Sequence, residues 1–181
     1  MNSTDRKVKI PKALHELHGR EASMFDLWVN YITGISVTVL ILHLSSSLDL
    51  PMLKMILLGI LALDLSGGVV SNFTSGTSKY YAANRRLRNV FIAVHFVQPL
   101  LLSWIFPASA FSILAISSFS LLACIVINTL KHYQQQKTLA PFLTVTGIIL
   151  TLMMGIDTLP LLIMMLLFVM KLALAFPVKW D

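Results

Sequence analysis

Charged residues are scarce in this chain of 181 residues. Asp, Glu, Lys and Arg make up 12 % of the sequence, whereas 56 % of the residues are apolar. Soluble domains carry about 25 % charged residues, so this composition excludes an ordinary soluble fold. It predicts an all-α polytopic membrane protein whose main partner is the lipid bilayer.

Cysteine occurs once, at Cys124. A single cysteine excludes an intrachain disulfide and a cluster of thiolate metal ligands. No carboxylate or second histidine stands at helical ligand spacing beside His95, so no metal site is predicted. Phosphate-binding loops and nucleophilic serine motifs are also missing from the sequence. No cofactor is therefore predicted, and whether the protein is an enzyme stays open.

Six apolar segments are candidates for membrane spans, since a helix needs roughly 17 to 25 residues to cross a hydrocarbon core about 30 Å thick. Pro51, Pro107 and Pro160 stand at three turns on one side, where a helix can begin because its first turn does not need the missing N–H. The sequence predicts a six-helix transmembrane bundle of three in-out-in hairpins over residues 25–177, followed by a tail of residues 178–181. The predicted spans are 27–46, 51–71, 90–106, 108–130, 139–154 and 161–176.

The basic residues follow this topology. The formal net charge is +6, and the positive side chains concentrate in residues 1–24, between the second and third spans, and between the fourth and fifth. Positive residues of short loops stay in the cytoplasm, so both termini are predicted to be cytoplasmic, in a bacterial inner membrane. Orientation accounts for the charge, and no nucleic-acid partner is predicted. Residues 1–24 form either an interfacial helix or a flexible basic tail.

Asp64 lies in the middle of the second span. A carboxylate there costs roughly 2.5 to 3.5 kcal/mol on insertion scales, so it usually faces the bundle interior and has a partner. In the third span, His95 and Gln98 share one face of the helix at a comparable depth. Small residues after Asp64 let a helix or a ligand approach closely. We predict a ligand-binding or proton-binding site formed by Asp64, His95, Gln98, Gly67, Gly68 and Asn72.

Hydroxyl and basic residues follow directly after the second span. At headgroup depth they suit a phosphate, a carboxylate or an anionic lipid head; topological anchoring is the alternative explanation. The predicted cytoplasmic mouth of the site consists of Thr74, Thr77, Lys79, Arg85, Arg86 and Arg88.

Three functions are consistent with these features. The leading hypothesis is a small integral membrane protein that binds or translocates a small solute, ion or proton, with Asp64 carrying or balancing positive charge. The second is an intramembrane enzyme acting on a lipid or headgroup, with Asp64 and His95 as an acid-base pair. The third is an accessory subunit with a filled interior, which would bind a larger membrane partner or a second copy of itself.

Overall fold

The computed structural model describes residues 7–180, and helices dominate it. Residues 1–6 and 181 of the predicted tails lie outside the described residues. Five apolar helices are long enough to cross a membrane, and a sixth, Leu159–Ala175, is shorter. The chain is therefore an all-α integral membrane protein, while its six-span topology stays a prediction. The five long helices are Met24–Ser45, Met52–Phe73, Arg85–Ile105, Pro107–Thr129 and Tyr133–Met153.

In chain order, two short strands and a series of helices make up the described fold. The antiparallel strands β1 (Lys7–Lys9) and β2 (Glu21–Ser23) pair near the N-terminus. Short 3-10 turns cover Lys12–Leu14 and Pro107–Ser109, and a π-helical segment, Met170–Ala175, continues the last helix. The α-helices are α1 (His15–His18), α2 (Met24–Ser45), α3 (Met52–Phe73), α4 (Ser75–Ala82), α5 (Arg85–Val94), α6 (Val97–Ile105), α7 (Ala110–Thr129), α8 (Tyr133–Met153) and α9 (Leu159–Val169).

Proline begins three of these helical elements, which confirms the expectation from the sequence. α3 starts directly after Pro51, Pro107 opens the 3-10 turn before α7, and Pro160 lies in the first turn of α9. The third predicted span is broken between α5 and α6, at His95 and Phe96. Pro99 follows four residues after His95 and cannot donate to its carbonyl oxygen, which is the physical reason for a break at this point.

The last helix is the centre of the bundle. α9 and the π-helical segment pack against α2, α3, α7 and α8. Leu161, Met164, Phe168 and Val169 are fully buried along α9. A helix that is apolar on every side belongs in the interior. The π-helical segment continues this helix, and its polar residue, Lys171, is therefore enclosed by the other helices.

Residues 7–23, which we call the N-terminal segment, fold back against the C-terminal end of α3 and against α4. The hydroxyls of Ser71 and Thr77 both donate to the carbonyl oxygen of Leu17. α1 also packs directly on α4. These contacts hold the segment beside Asp64 of α3 and the side chains that surround it.

Candidate functional site

An ion pair connects Asp64 of α3 with Lys171 of the π-helical segment. Lys171 Nζ lies 2.6 Å from Asp64 Oδ2 and 3.0 Å from the Asp64 carbonyl oxygen. The Lys171 side chain is 1 % exposed and that of Asp64 is 44 % exposed. Protein therefore encloses the ammonium group, whereas the carboxylate borders open space.

Lys171 was not among the residues predicted for this site. It is the one charged residue of the sixth predicted span, and that position was the signal that could have identified it. Its backbone is π-helical, a rare geometry that occurs frequently at functional sites.

Gly68 makes room for the lysine. A Cβ atom on Gly68 would lie 2.5 Å from Lys171 Cε and 2.6 Å from Nζ. Gly67 faces another element, because its Cβ would lie 3.1 Å from Asn30 Oδ1 of α2. Gly68 thus adjoins the ion pair, and Gly67 belongs to the contact between α2 and α3.

Gln98 and His95 approach the ion pair from the broken third span. Gln98 Nε2 donates to Asp64 Oδ2 at 2.6 Å. His95 Nδ1 lies 2.7 Å from the carbonyl oxygen of Phe91. Since a carbonyl only accepts, Nδ1 carries the proton of the neutral ring, and Nε2 keeps a lone pair. Nε2 is buried and has no hydrogen-bond partner within residues 7–180.

A cavity of about 360 Å³ adjoins these groups. Its walls come from the N-terminal segment, the C-terminal half of α3, Tyr81 of α4, α5 with the following His95, and the π-helical segment. Gln98 contacts Asp64 but does not line the cavity. Asn72 also lines the cavity, and its Nδ2 is buried without a hydrogen-bond partner in the described part of the chain. The polar residues of the wall are Glu16, Asp64, Ser71, Asn72, Tyr81, His95 and Lys171.

The residues predicted for the cytoplasmic mouth lie in separate places. Thr77 is buried against Leu17, and Thr74 caps α4 by accepting from the Thr77 N–H. Lys79 lines a second cavity, of about 590 Å³, together with Lys7 and Arg20 of the N-terminal segment. The N-terminal segment therefore contributes to the walls of both cavities.

The three predicted arginines also separate. Arg85 and Arg86 are exposed at the start of α5, whereas Arg88 is buried. Arg88 Nε donates to Asn128 Oδ1 at 2.7 Å, and Nη2 donates to the Pro177 carbonyl oxygen at 3.0 Å. Arg88 thus ties α5 to α7 and to the C-terminal residues instead of facing the headgroups.

Two titratable side chains with shifted pKa values, one in the N-terminal segment and one in α4, lie outside the spanning helices. Burial lowers the pKa of His18, whose Nε2 lies 3.0 Å from the Tyr31 hydroxyl. Burial and then the nearby Glu16 carboxylate raise the pKa of Tyr81. Both side chains are therefore neutral at pH 7.

The wall provides hydrogen-bonding groups of both kinds. The Asp64 carboxylate and His95 Nε2 accept, and the Asn72 amide donates, whereas the enclosed Lys171 ammonium group already donates to Asp64. Among residues 7–180, no group of three His, Cys, Asp or Glu side chains is placed to hold a metal ion. Comparisons of the chain with protein families, with curated proteins and with solved structures found no match.

Proposed function

We propose that this integral membrane protein binds a small ligand in the cavity beside Asp64, Lys171 and His95. The observation that carries the proposal is the buried Nε2 of His95, which has no partner in the described chain and belongs to a residue that lines a cavity beside the exposed Asp64 carboxylate. Buried polar groups in folded proteins are almost always hydrogen-bonded, and an exception needs an explanation. A ligand that reaches His95 and Asp64 supplies the missing partners.

The size of the cavity favours binding over a purely structural role. An accessory subunit whose polar groups only fix helix packing would have a filled interior around Asp64. The volume of about 360 Å³ has room for roughly a dozen water-sized groups at about 30 Å³ each. Asp64 is thus placed to contact a ligand as well as its neighbouring helix.

The packing of the opposite half of the bundle favours binding over passage. Leu58 and Leu61 of α3, and Leu102 and Ile105 of α6, are buried in the apolar core on the far side of Asp64. A solute or proton would need this core to open before it could cross. Lys171 already balances the charge of Asp64, so a ligand need not be cationic.

We also propose that the cavity and both termini face the cytoplasm of a bacterial inner membrane. This orientation places the exposed Arg85 and Arg86 beside the anionic headgroups of the inner leaflet, where basic residues are favoured. Lys7, Arg20 and Lys79 lie on the same side.

A matched pair of tryptophan substitutions tests binding. Val94→Trp fills the cavity from its α5 wall, whereas Val97→Trp adds the same bulk on α6 outside the lining. Val94 is 55 % exposed and Val97 51 % exposed, so both variants should fold. Native mass spectrometry of the protein extracted in mild detergent should detect a bound small molecule in the wild type and in Val97→Trp, but not in Val94→Trp. An adduct that survives in Val94→Trp, or its absence from the wild type, would contradict the proposal.

A further inference from the structure

The cavity opens beside apolar side chains. Leu14 of the N-terminal segment and Val90 and Val94 of α5 line it, and they are 39 %, 48 % and 55 % exposed. Val90 and Val94 are one helical turn apart in the candidate span Arg85–Ile105, so their exposed face borders acyl chains. A ligand with an apolar tail can therefore enter sideways from the lipid, between α5 and the N-terminal segment.

The charges on the wall select an uncharged head. Asp64 and Lys171 form a neutral pair, so a further charge brought beside them has only the exposed Glu16 carboxylate nearby, and a solvent-exposed carboxylate stabilises a cation only weakly. Glu16, which is exposed and lines the cavity, repels anions.

The hydrogen-bonding groups select a hydroxyl. His95 Nε2 is a buried acceptor and Asn72 Nδ2 a buried donor, both without partners in the described chain. Asp64 Oδ2 receives Lys171 and Gln98, which leaves Oδ1 as a second acceptor. A hydroxyl donates one hydrogen bond and accepts others. An ester or ether head only accepts, so it would leave His95 Nε2 unpaired.

We infer that the ligand is an uncharged lipid with a free hydroxyl, of the diacylglycerol class, whose head lies in the cavity and whose tails stay in the adjoining leaflet. This inference rests on the proposed function and adds the chemical class of the ligand. A cavity of about 360 Å³ holds a glycerol head and the first carbons of its chains, but not the chains themselves.

Photolabelling of the full chain in nanodiscs tests this inference with three diazirine lipids that carry identical chains. The probes are a diacylglycerol, the same molecule with its hydroxyl acetylated, and the corresponding phosphatidic acid. The diacylglycerol should label residues 13–17 and 87–95 at about a tenfold lower concentration than the acetylated lipid, since one hydrogen bond to a buried group is lost on acetylation. Phosphatidic acid should label these residues more weakly still.

A substitution of His95 tests whether the preference for the diacylglycerol depends on the Nε2 acceptor. His95→Phe keeps an aromatic ring stacked on Phe91 and removes Nε2, so it should abolish the tenfold preference. His43→Phe, on an exposed position of α2, should preserve it. If His95→Phe does not fold, His95→Leu removes the same acceptor and should abolish the same preference.

The outcomes separate this inference from the proposed function. Equal labelling by the diacylglycerol and its acetate, stronger labelling by phosphatidic acid, or a preference unchanged in a folded variant of His95 would overturn the lipid assignment. If no probe labels these residues while Val94→Trp still removes a bound molecule, the lipid assignment fails and ligand binding stands. If no probe labels these residues and Val94→Trp also leaves any bound molecule in place, the lipid assignment and the proposed ligand binding both fail.

Discussion

At the scale of single residues, the two partners of the ion pair are not equivalent. Asp64→Asn leaves the Lys171 ammonium group, whose side chain is 1 % exposed, without a counter-charge, and the loss of one buried partner typically costs about 3 to 5 kcal/mol. Lys171→Met leaves a carboxylate that borders the cavity and keeps its hydrogen bond from Gln98. We therefore expect Asp64→Asn to lower the thermal unfolding temperature more than Lys171→Met.

The double variant completes this comparison. Asp64→Asn combined with Lys171→Met removes both charges, so its unfolding temperature should lie above that of Asp64→Asn alone. Thermal unfolding of the purified variants in the same detergent, followed by tryptophan fluorescence, measures all three. A double variant less stable than Asp64→Asn would show that the two residues do not interact as a pair.

Some residues of the site follow from local sequence and others do not. The cost of a carboxylate among apolar residues singles out Asp64, and equal depth on the next span points to Gln98. Lys171 is 107 positions away from Asp64 in the chain, and no periodicity indicates that the last helix packs on the second predicted span. The buried position of Arg88 could not be predicted either, because the sequence does not reveal which side of α5 meets α7.

At the scale of elements, the N-terminal segment should loosen as the pH falls. Burial lowers the pKa of His18 in the folded protein, so the undocked segment binds a proton more readily than the docked one. The stabilisation is complete above the ordinary histidine pKa of about 6.5 and is lost as the pH drops from there toward the lowered value. Amide exchange in residues 7–23, corrected for intrinsic rates, should be faster at about pH 5.5 than at about pH 7.5.

His18→Gln is the control for this effect. Glutamine does not titrate in this range and can still meet the Tyr31 hydroxyl, which lies 3.0 Å from His18 Nε2. The exchange of residues 7–23 in this variant should not depend on pH after the same correction. An identical pH dependence in His18→Gln would assign it to another group.

Helix boundaries differ from the predicted spans because an apolar run indicates only the part of a helix that crosses the hydrocarbon core. The helix itself can begin or end beyond that part. The third span was predicted from residue 90, but α5 begins at Arg85. Asn84 caps it by accepting from the N–H groups of Arg86 and Leu87, a start signal that hydropathy does not register. The π-helical segment at Met170–Ala175 has no counterpart in the apolar pattern, since it changes the hydrogen-bond register and not the composition.

At the scale of the whole molecule, the burial of the last helix makes the topology testable. If α9 and its π-helical continuation cross the membrane, Asp157 and Lys179 lie on opposite sides. Both are exposed, as is Lys131 in the loop before α8. The buried Cys124 can be replaced by alanine, which gives a cysteine-free background. In intact cells, a membrane-impermeant thiol reagent should label Asp157→Cys, and it should reach Lys131→Cys and Lys179→Cys only after permeabilisation. Labelling of Asp157→Cys and Lys179→Cys from the same side would mean that the sixth apolar helix does not span. The opposite pattern at all three positions would invert the proposed orientation.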